Sequence, residues 1–176
     1  MSSVRAAIAG PSECGKSTLA HATAAAITRL AGRRHIVHDP QMEWTKWPPG
    51  SFVTADAVRF QAAVSASRNC CVWIEDASAT INRDRSLSWL FTRIRHNGHM
   101  LYVLCHSATD LLPGMRNCLT EAFLFRQTAK SAEWWADVFM ENGLLAAQHL
   151  PTKSYEFLHY KPGEPVVKRK LTLCKP

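Results

Sequence analysis

The chain has 176 residues, 47% of them hydrophobic, which is enough for one substantial core and too little for several domains. No apolar run approaches the ~18 residues of a membrane span, and the opening Met-Ser-Ser-Val-Arg has no leader-like apolar stretch, so a soluble intracellular protein is expected. Lys and Arg outnumber Asp and Glu by 21 to 14, a formal net charge of +7 that favours polyanionic partners over anionic repulsion.

In chain order, the apolar run 4–9 predicts a buried strand, and 17–31, rich in Ala and Leu without proline, predicts a helix. Between them stands Gly10-Pro11-Ser12-Glu13-Cys14-Gly15-Lys16-Ser17, a full match to the phosphate-loop pattern GxxxxGK[ST], with Thr18 one step further into the helix. Wrapping a polyphosphate with backbone N–H groups needs close approach and unusual backbone angles, which Gly10 and Gly15 permit. Lys16 supplies a point charge for the terminal phosphates, and the Ser17 hydroxyl is a Mg²⁺ ligand at a helix N-terminus that itself attracts anions. The loop therefore predicts binding of a nucleoside triphosphate, with ATP and Mg²⁺ as the expected cofactors.

Further along, His35–His38 reads as a short strand ending at Asp39-Pro40, and 41–51, with Trp47, Pro48, Pro49 and Gly50, reads as a loop. Phe52–Thr54 is a third short strand, and 56–67 a helix with Val58, Phe60, Ala63 and Val64 among its apolar positions. The continuous apolar run 70–74, closed by Glu75 and Asp76, reads as a central strand. Asn82 or Asp84 caps a helix carrying Leu87, Leu90, Phe91 and Ile94 that stops at Asn97-Gly98. Met100–Cys105 is the next strand, followed by a short helical piece broken at Pro113-Gly114 and a strand at 122–125. A helix at 131–142, capped by Ser131 and ended by Gly143, precedes a hairpin of 155–160 and 166–173. Strands alternating with helices predict a three-layer α/β fold with a mostly parallel sheet and a C-terminal β-hairpin. Six cysteines without CxxC spacing are expected as reduced core residues rather than zinc ligands.

Triphosphate hydrolysis needs a carboxylate near the metal and a group that orients water, and both belong where a buried strand ends beside the phosphate loop. Glu75 and Asp76 occupy that place, with the division of metal and water roles between them open. His106, past the next strand, is a candidate to sense the γ-phosphate or to contact the attacking water, and Arg95, Arg116 and Arg126 are candidates for a finger lent to a neighbouring subunit.

The order of these motifs resembles the FtsK/HerA superfamily, and within it the genome-packaging ATPases of tectivirus-like and other internal-membrane viruses, over residues 4–127. Gly10 to Ser17 is similar to the family's Walker A motif, and 71–76 to its Walker B, with Glu-Asp in place of the usual Asp-Glu. Arg95-His96-Asn97-Gly98, Pro113-Gly114-Met115-Arg116-Asn117 and Phe123-Leu124-Phe125-Arg126 resemble its later arginine-bearing segments, while His106 stands where members carry Gln, Asn, Ser or Thr. The resemblance implies an additional-strand P-loop NTPase in a single domain 1–176, with a nucleotide-binding core at 1–127 and a helix-and-hairpin extension at 128–176. It further implies an ATP-driven ring of five or six subunits that threads DNA, sequence-independently and as a double strand, at a capsid vertex inside the host cytoplasm. The basic run Lys168-Arg169-Lys170 at the hairpin end is a candidate contributor to backbone contacts with DNA. The alternative readings are a small P-loop nucleoside or metabolite kinase and a nucleotide-dependent assembly factor of the filamentous-phage type.

Overall fold

The computed structural model describes residues 4–80 and 85–172. The phosphate loop springs from β1 (Arg5–Ala9), which lies inside an eight-stranded sheet of order β3-β2-β4-β5-β1-β6-β7-β8. The parallel strands are β1, β2 (His35–His38), β3 (Phe52–Thr54), β4 (Cys71–Ile74), β5 (Met100–Cys105) and β6 (Glu121–Leu124). The antiparallel hairpin of β7 (Glu156–Tyr160) and β8 (Val167–Lys170) continues the sheet beyond β6. β5 is inserted between the phosphate-loop strand and the acidic strand β4, the additional strand that the resemblance implies.

Alternate residues of the central strands enter opposite layers, as the two-residue period of a strand requires. Ala6, Ile8, Trp73, Tyr102 and Leu104 pack with Leu19, Ala20 and Ala24 of α1 (Lys16–Ala31). Ala7, Val72, Ile74 and Val103 pack with the other layer, formed by α2 (Ala57–Ala66), α4 (Trp89–Arg93) and α6 (Ala129–Phe139) through Phe60, Val64, Leu90, Phe91 and Trp135. Two short helices, α3 (Ala77–Thr80) and α5 (Pro113–Arg116), complete the set. No helix among the described residues is long and apolar enough to cross a membrane.

The strands fall where the apolar runs place them, and the helix ends differ for local reasons. Asp56 caps α2 by accepting from Val58 and Arg59 N–H at 2.8 and 3.0 Å. Thr128, not Ser131, caps α6, because its Oγ1 accepts from Ser131 N at 3.2 Å while the Ser131 hydroxyl is buried against Gln127. α6 stops at Met140, in the left-handed region at φ 50°, and Gly143 instead lies in a separate 3-10 stretch, Asn142–His149. Pro113 starts α5 rather than ending a helix, since its missing N–H falls where the first turn has no partner for one. The segment from 85 to 97 is a composite of 3-10 and α turns closed by Gly98 at φ 70°. Asn82 and Asp84, the expected caps, and Cys174 lie outside the described residues, and Cys14, Cys70, Cys71, Cys105 and Cys118 are free thiols.

A buried hydrogen-bond chain ties α1 to β2 and β4. An indole N–H only donates, so Trp73 Nε1 gives its proton to His35 Nδ1 at 2.9 Å, and His35 Nε2 carries the imidazole proton toward Thr28 Oγ1 at 2.8 Å. Thr28 Oγ1 donates onward to Ala24 O at 3.1 Å. Tyr102 stacks on Trp73 with centroids 4.2 Å apart, and Trp47 packs on it at 5.2 Å.

His35 is held neutral: burial pushes its pKa down to about 4, below the ~6.5 of an unfolded chain. The unfolded state therefore takes up the proton first, and the stabilisation is full above pH ~6.5 and is lost as pH falls toward 4. Urea titrations across that range show this slope in the wild type and lose most of it in His35→Asn. Trp73→Phe, which leaves His35 Nδ1 without its donor, lowers the unfolding free energy by about 1–3 kcal/mol at pH 7.5.

Candidate functional site

The loop from Gly10 to Ser17 leaves the sheet between two neighbours that fix both its ends. Gly10 N donates to Cys105 O at 3.1 Å, and Phe125 N donates to Ala9 O at 2.9 Å. Glu13 and Gly15 adopt left-handed angles, φ 60° and 107°, which turn successive N–H groups toward one concave side. The space is tight: a Cβ on Gly10 would lie 2.6 Å from Phe125 Cβ, and one on Gly15 2.8 Å from Tyr155 Cδ1. Lys16 Nζ donates to Gly10 O and Pro11 O, both at 2.8 Å, so its ammonium is folded over the mouth of the loop. Cys14 is buried, and Thr18, in the first turn of α1, is exposed.

β4 carries Glu75 to this loop. Glu75 N is anchored to His38 O at 3.0 Å, and its carboxylate lies along one turn of α1. Oε2 accepts from the Ser17 hydroxyl at 3.5 Å, and Oε1 lies 4.0 Å from His21 Nε2, four residues further along the same helix face. Behind it the buried Asp39 accepts from Gln41 N and Glu43 N, each at 2.8 Å. Burial, followed by the Asp39 and Glu43 charges, pushes the Glu75 carboxyl up to about 7. Burial also lowers His21, whose ring meets Trp47 edge-on at 4.7 Å.

Asp76 points elsewhere. Its backbone is left-handed at φ 52°, its Oδ1 accepts from Ser78 Oγ, and its carbonyl accepts from Thr80 Oγ1 at 2.9 Å, so it starts α3. Of the two acids, Glu75 is the one brought to Ser17. Among the described residues no cluster of three His, Cys, Asp or Glu side chains is arranged to hold a metal alone. The hard oxygen donors of Ser17 and Glu75 fit Mg²⁺ that takes its remaining ligands from phosphates and water.

His106 follows β5 beside Gly10, exposed, with its backbone N–H held by Asp110 Oδ2 at 2.6 Å. Arg126 follows β6 on the other side of β1, its guanidinium 3.1 Å from Thr152 Oγ1. Between them a cavity of about 540 Å³ opens beside Pro11 and Ser12. The other two arginines are not at this end of the sheet. Arg116 lies over the Trp134 ring at 5.2 Å, and Arg95, in Ile94–Asn97, precedes β5 and so sits toward the opposite end of the parallel strands from the loop.

No protein-family model matches the sequence, and no curated protein sequence matches it. The architecture does find matches among solved structures. The genome packaging NTPase B204 from Sulfolobus turreted icosahedral virus 2, solved in complex with AMPPCP, superposes with a TM-score of 0.77 at 17% identity, covering 98% of this chain and 100% of the other. The chain has the fold of a genome packaging NTPase. The DNA-packaging ATPase B204 from Sulfolobus turreted icosahedral virus gives a TM-score of 0.76 at 14% identity over 96% of this chain and 98% of that one. The cytoplasmic domain of the Type VII secretion ATPase EccC of Thermomonospora curvata gives 0.66 at 14% identity, covering 94% of this chain and 25% of its own.

This fold brings to the site several residues that the sequence did not single out. His21 is one helical turn from Ser17, a spacing visible only once Glu75 is known to face it. Tyr155 and Leu171, at the root of the hairpin, press on Gly15 from more than a hundred residues away, and Lys153 pairs with Glu13 at 3.3 Å. No local pattern announces these contacts.

The raised Glu75 carboxyl predicts a trade between stability and chemistry. The folded chain holds a proton there that the unfolded chain has lost above pH ~4.5, so this residue costs stability as pH rises from 4.5 through 7. Glu75→Gln is expected to raise the unfolding free energy at pH 8 by about 1–3 kcal/mol and to change it little at pH 4.5, as read by chemical denaturation at both values.

Proposed function

We propose that this chain is an ATP-hydrolysing motor that moves viral DNA into a preformed capsid. One observation carries the reading: the phosphate loop, the acid-ended strand and the inserted strand stand together in a sheet shared end to end with a genome packaging NTPase solved with a nucleotide analogue. The same match favours this reading over a small nucleoside kinase.

In this reading Gly10 to Thr18 bind the triphosphate of ATP. Lys16 exchanges its two carbonyl partners for terminal phosphate oxygens, moving its charge onto the group to be cleaved. Ser17 is the direct ligand of Mg²⁺ and Glu75 lies beside it, with Asp76 fixing the turn that aims Glu75. Mg²⁺, when bound, neutralises the charge that develops on the β- and γ-phosphate oxygens. Glu75, uncharged more readily than an ordinary carboxyl, is poised to accept a proton from water near neutral pH. His106 is placed to contact the γ-phosphate from the β5 side.

The motor assembles as a ring of five or six copies at the capsid vertex. Arg95 is the finger offered to the next subunit, since it is exposed and stands toward the far end of the strands from its own loop. Arg116 is engaged on Trp134, and Arg126 works within its own subunit. The exposed Lys168, Arg169 and Lys170 supply sequence-independent, salt-sensitive contacts to the DNA backbone.

ATP turnover measured with and without double-stranded DNA, alongside oligomer mass in ATP, tests the proposal. Lys16→Ala is expected to abolish turnover and Arg95→Ala to lower it by about 10³. Mixing Arg95→Ala with Glu75→Gln subunits restores part of the activity by pairing intact half-sites. A monomer that phosphorylates a small acceptor and ignores DNA would contradict the motor.

A further inference from the structure

The helical layer on the side of the sheet away from α1 carries two neighbouring grooves that share a wall. One, of about 510 Å³, lies between α2 and the segment 89–97, and the other, of about 590 Å³, lies between α4 and α5. Trp89 and Arg93 of α4 line both. Trp89 is half-buried and held in place, its Nε1 donating to Gln61 Oε1 at 3.0 Å while Gln61 Nε2 donates to Ser86 Oγ at 3.0 Å. Leu112 and Met115 add apolar surface to the second groove.

The charge around these grooves has one sign. Residues 57–74 and 85–109, which supply α2, α4 and the turns after them, contain no Asp, Glu or Lys, and all their formal charge comes from arginine. Arg93 and His96 are exposed in the first groove. Arg68 stands exposed at its rim, fixed by a bond donated from Nη1 to Asn97 Oδ1 at 2.7 Å. Among the described residues no carboxylate lines either groove. Planar guanidinium groups without an acid of their own, set around a partly apolar groove, complement carboxylates that bring apolar neighbours with them.

We propose that the paired grooves dock an acidic segment of a partner protein, with apolar side chains seated on either side of Trp89 and carboxylates on Arg93, Arg68 and His96. Grooves of this size admit side chains and exclude a duplex. Arginine and tryptophan without lysine is also the composition of protein–protein interface cores, whereas the β8 edge assigned to DNA carries Lys168 and Lys170. Because Gln61 already holds the Trp89 ring, little ordering is left to oppose binding there. No lining residue belongs to the phosphate loop or to the Glu75-Asp76 strand end, so the surface stands whether or not that loop binds ATP.

The test titrates the full chain into a short fluorescein-labelled peptide in which Asp and Glu flank a central Leu-Phe pair, read by fluorescence anisotropy at physiological salt. One saturable site is expected. Arg93→Gln weakens it about tenfold, and exchanging the peptide's Leu-Phe pair for Ala-Ala weakens it by a similar factor. Trp89→Ala loses at least as much; if that variant fails to fold by circular dichroism, Arg93→Glu is read instead, with loss of saturable binding expected. A wild-type chain that does not bind the peptide, a folded variant that binds it unchanged, or an Ala-Ala peptide that binds equally well overturns the proposal. Duplex DNA that displaces the peptide and is weakened as much by Arg93→Gln gives the surface to nucleic acid, and self-association lost in Arg93→Glu by sedimentation gives it to a second copy of this chain; either result overturns the acidic-segment proposal.

Discussion

Everything the site can do depends on how helix α1 lies against the acidic strand, and a buried proton chain sets that relation. Trp73 is two residues from Glu75 on β4, His35 is on β2, and Thr28 is three turns beyond Ser17 on α1. Their hydrogen bonds hold three elements in one register at the end of the helix away from the loop, while the Trp73 and Tyr102 stack fills the layer between. With the helix fixed there, Ser17 and His21 present a fixed edge to Glu75. A neutral imidazole is the only ionisation state that satisfies both neighbours, so the chain doubles as a rigid spacer.

The same geometry explains why two adjacent acids have unlike roles. A strand that ends in consecutive carboxylates points them to opposite sides. Glu75 keeps to the direction of β4 and meets α1, whereas Asp76 adopts a left-handed angle and is consumed in starting α3. The order Glu then Asp is therefore no obstacle to placing one carboxylate by Ser17. The cost is a carboxyl packed near Asp39 and Glu43 with Lys16 turned toward the loop carbonyls, an electrostatic tension that a bound cation relieves.

The parallel core was legible in the sequence because strands buried on both faces are continuous apolar runs, and Cys71–Ile74 and Met100–Cys105 are such runs. The phosphate loop was legible for a different reason, since its chemistry is carried by the backbone of contiguous residues. Helix ends were read less well where two cap residues compete, as Thr128 and Ser131 do, because only tertiary burial of Ser131 decides between them. The contacts of Tyr155 and Leu171 on Gly15, and of Arg126 on Thr152, could not be read at all, because they join segments that only the completed sheet brings together. Arg95 and Arg116 looked equivalent as sequence; the fold separates them by giving one an aromatic ring and leaving the other at the surface.

The two margins of the sheet are unalike, and neither invites another strand. On one side β3 is three residues long, and on the other β8 is exposed throughout with Lys168, Arg169 and Lys170 in succession, Lys168 pairing with Glu156 at 2.7 Å. Short and cationic edges resist strand addition. Copies of this chain are thereby steered away from joining into one extended sheet, which leaves the helical faces and the two ends of the strands as its open surfaces.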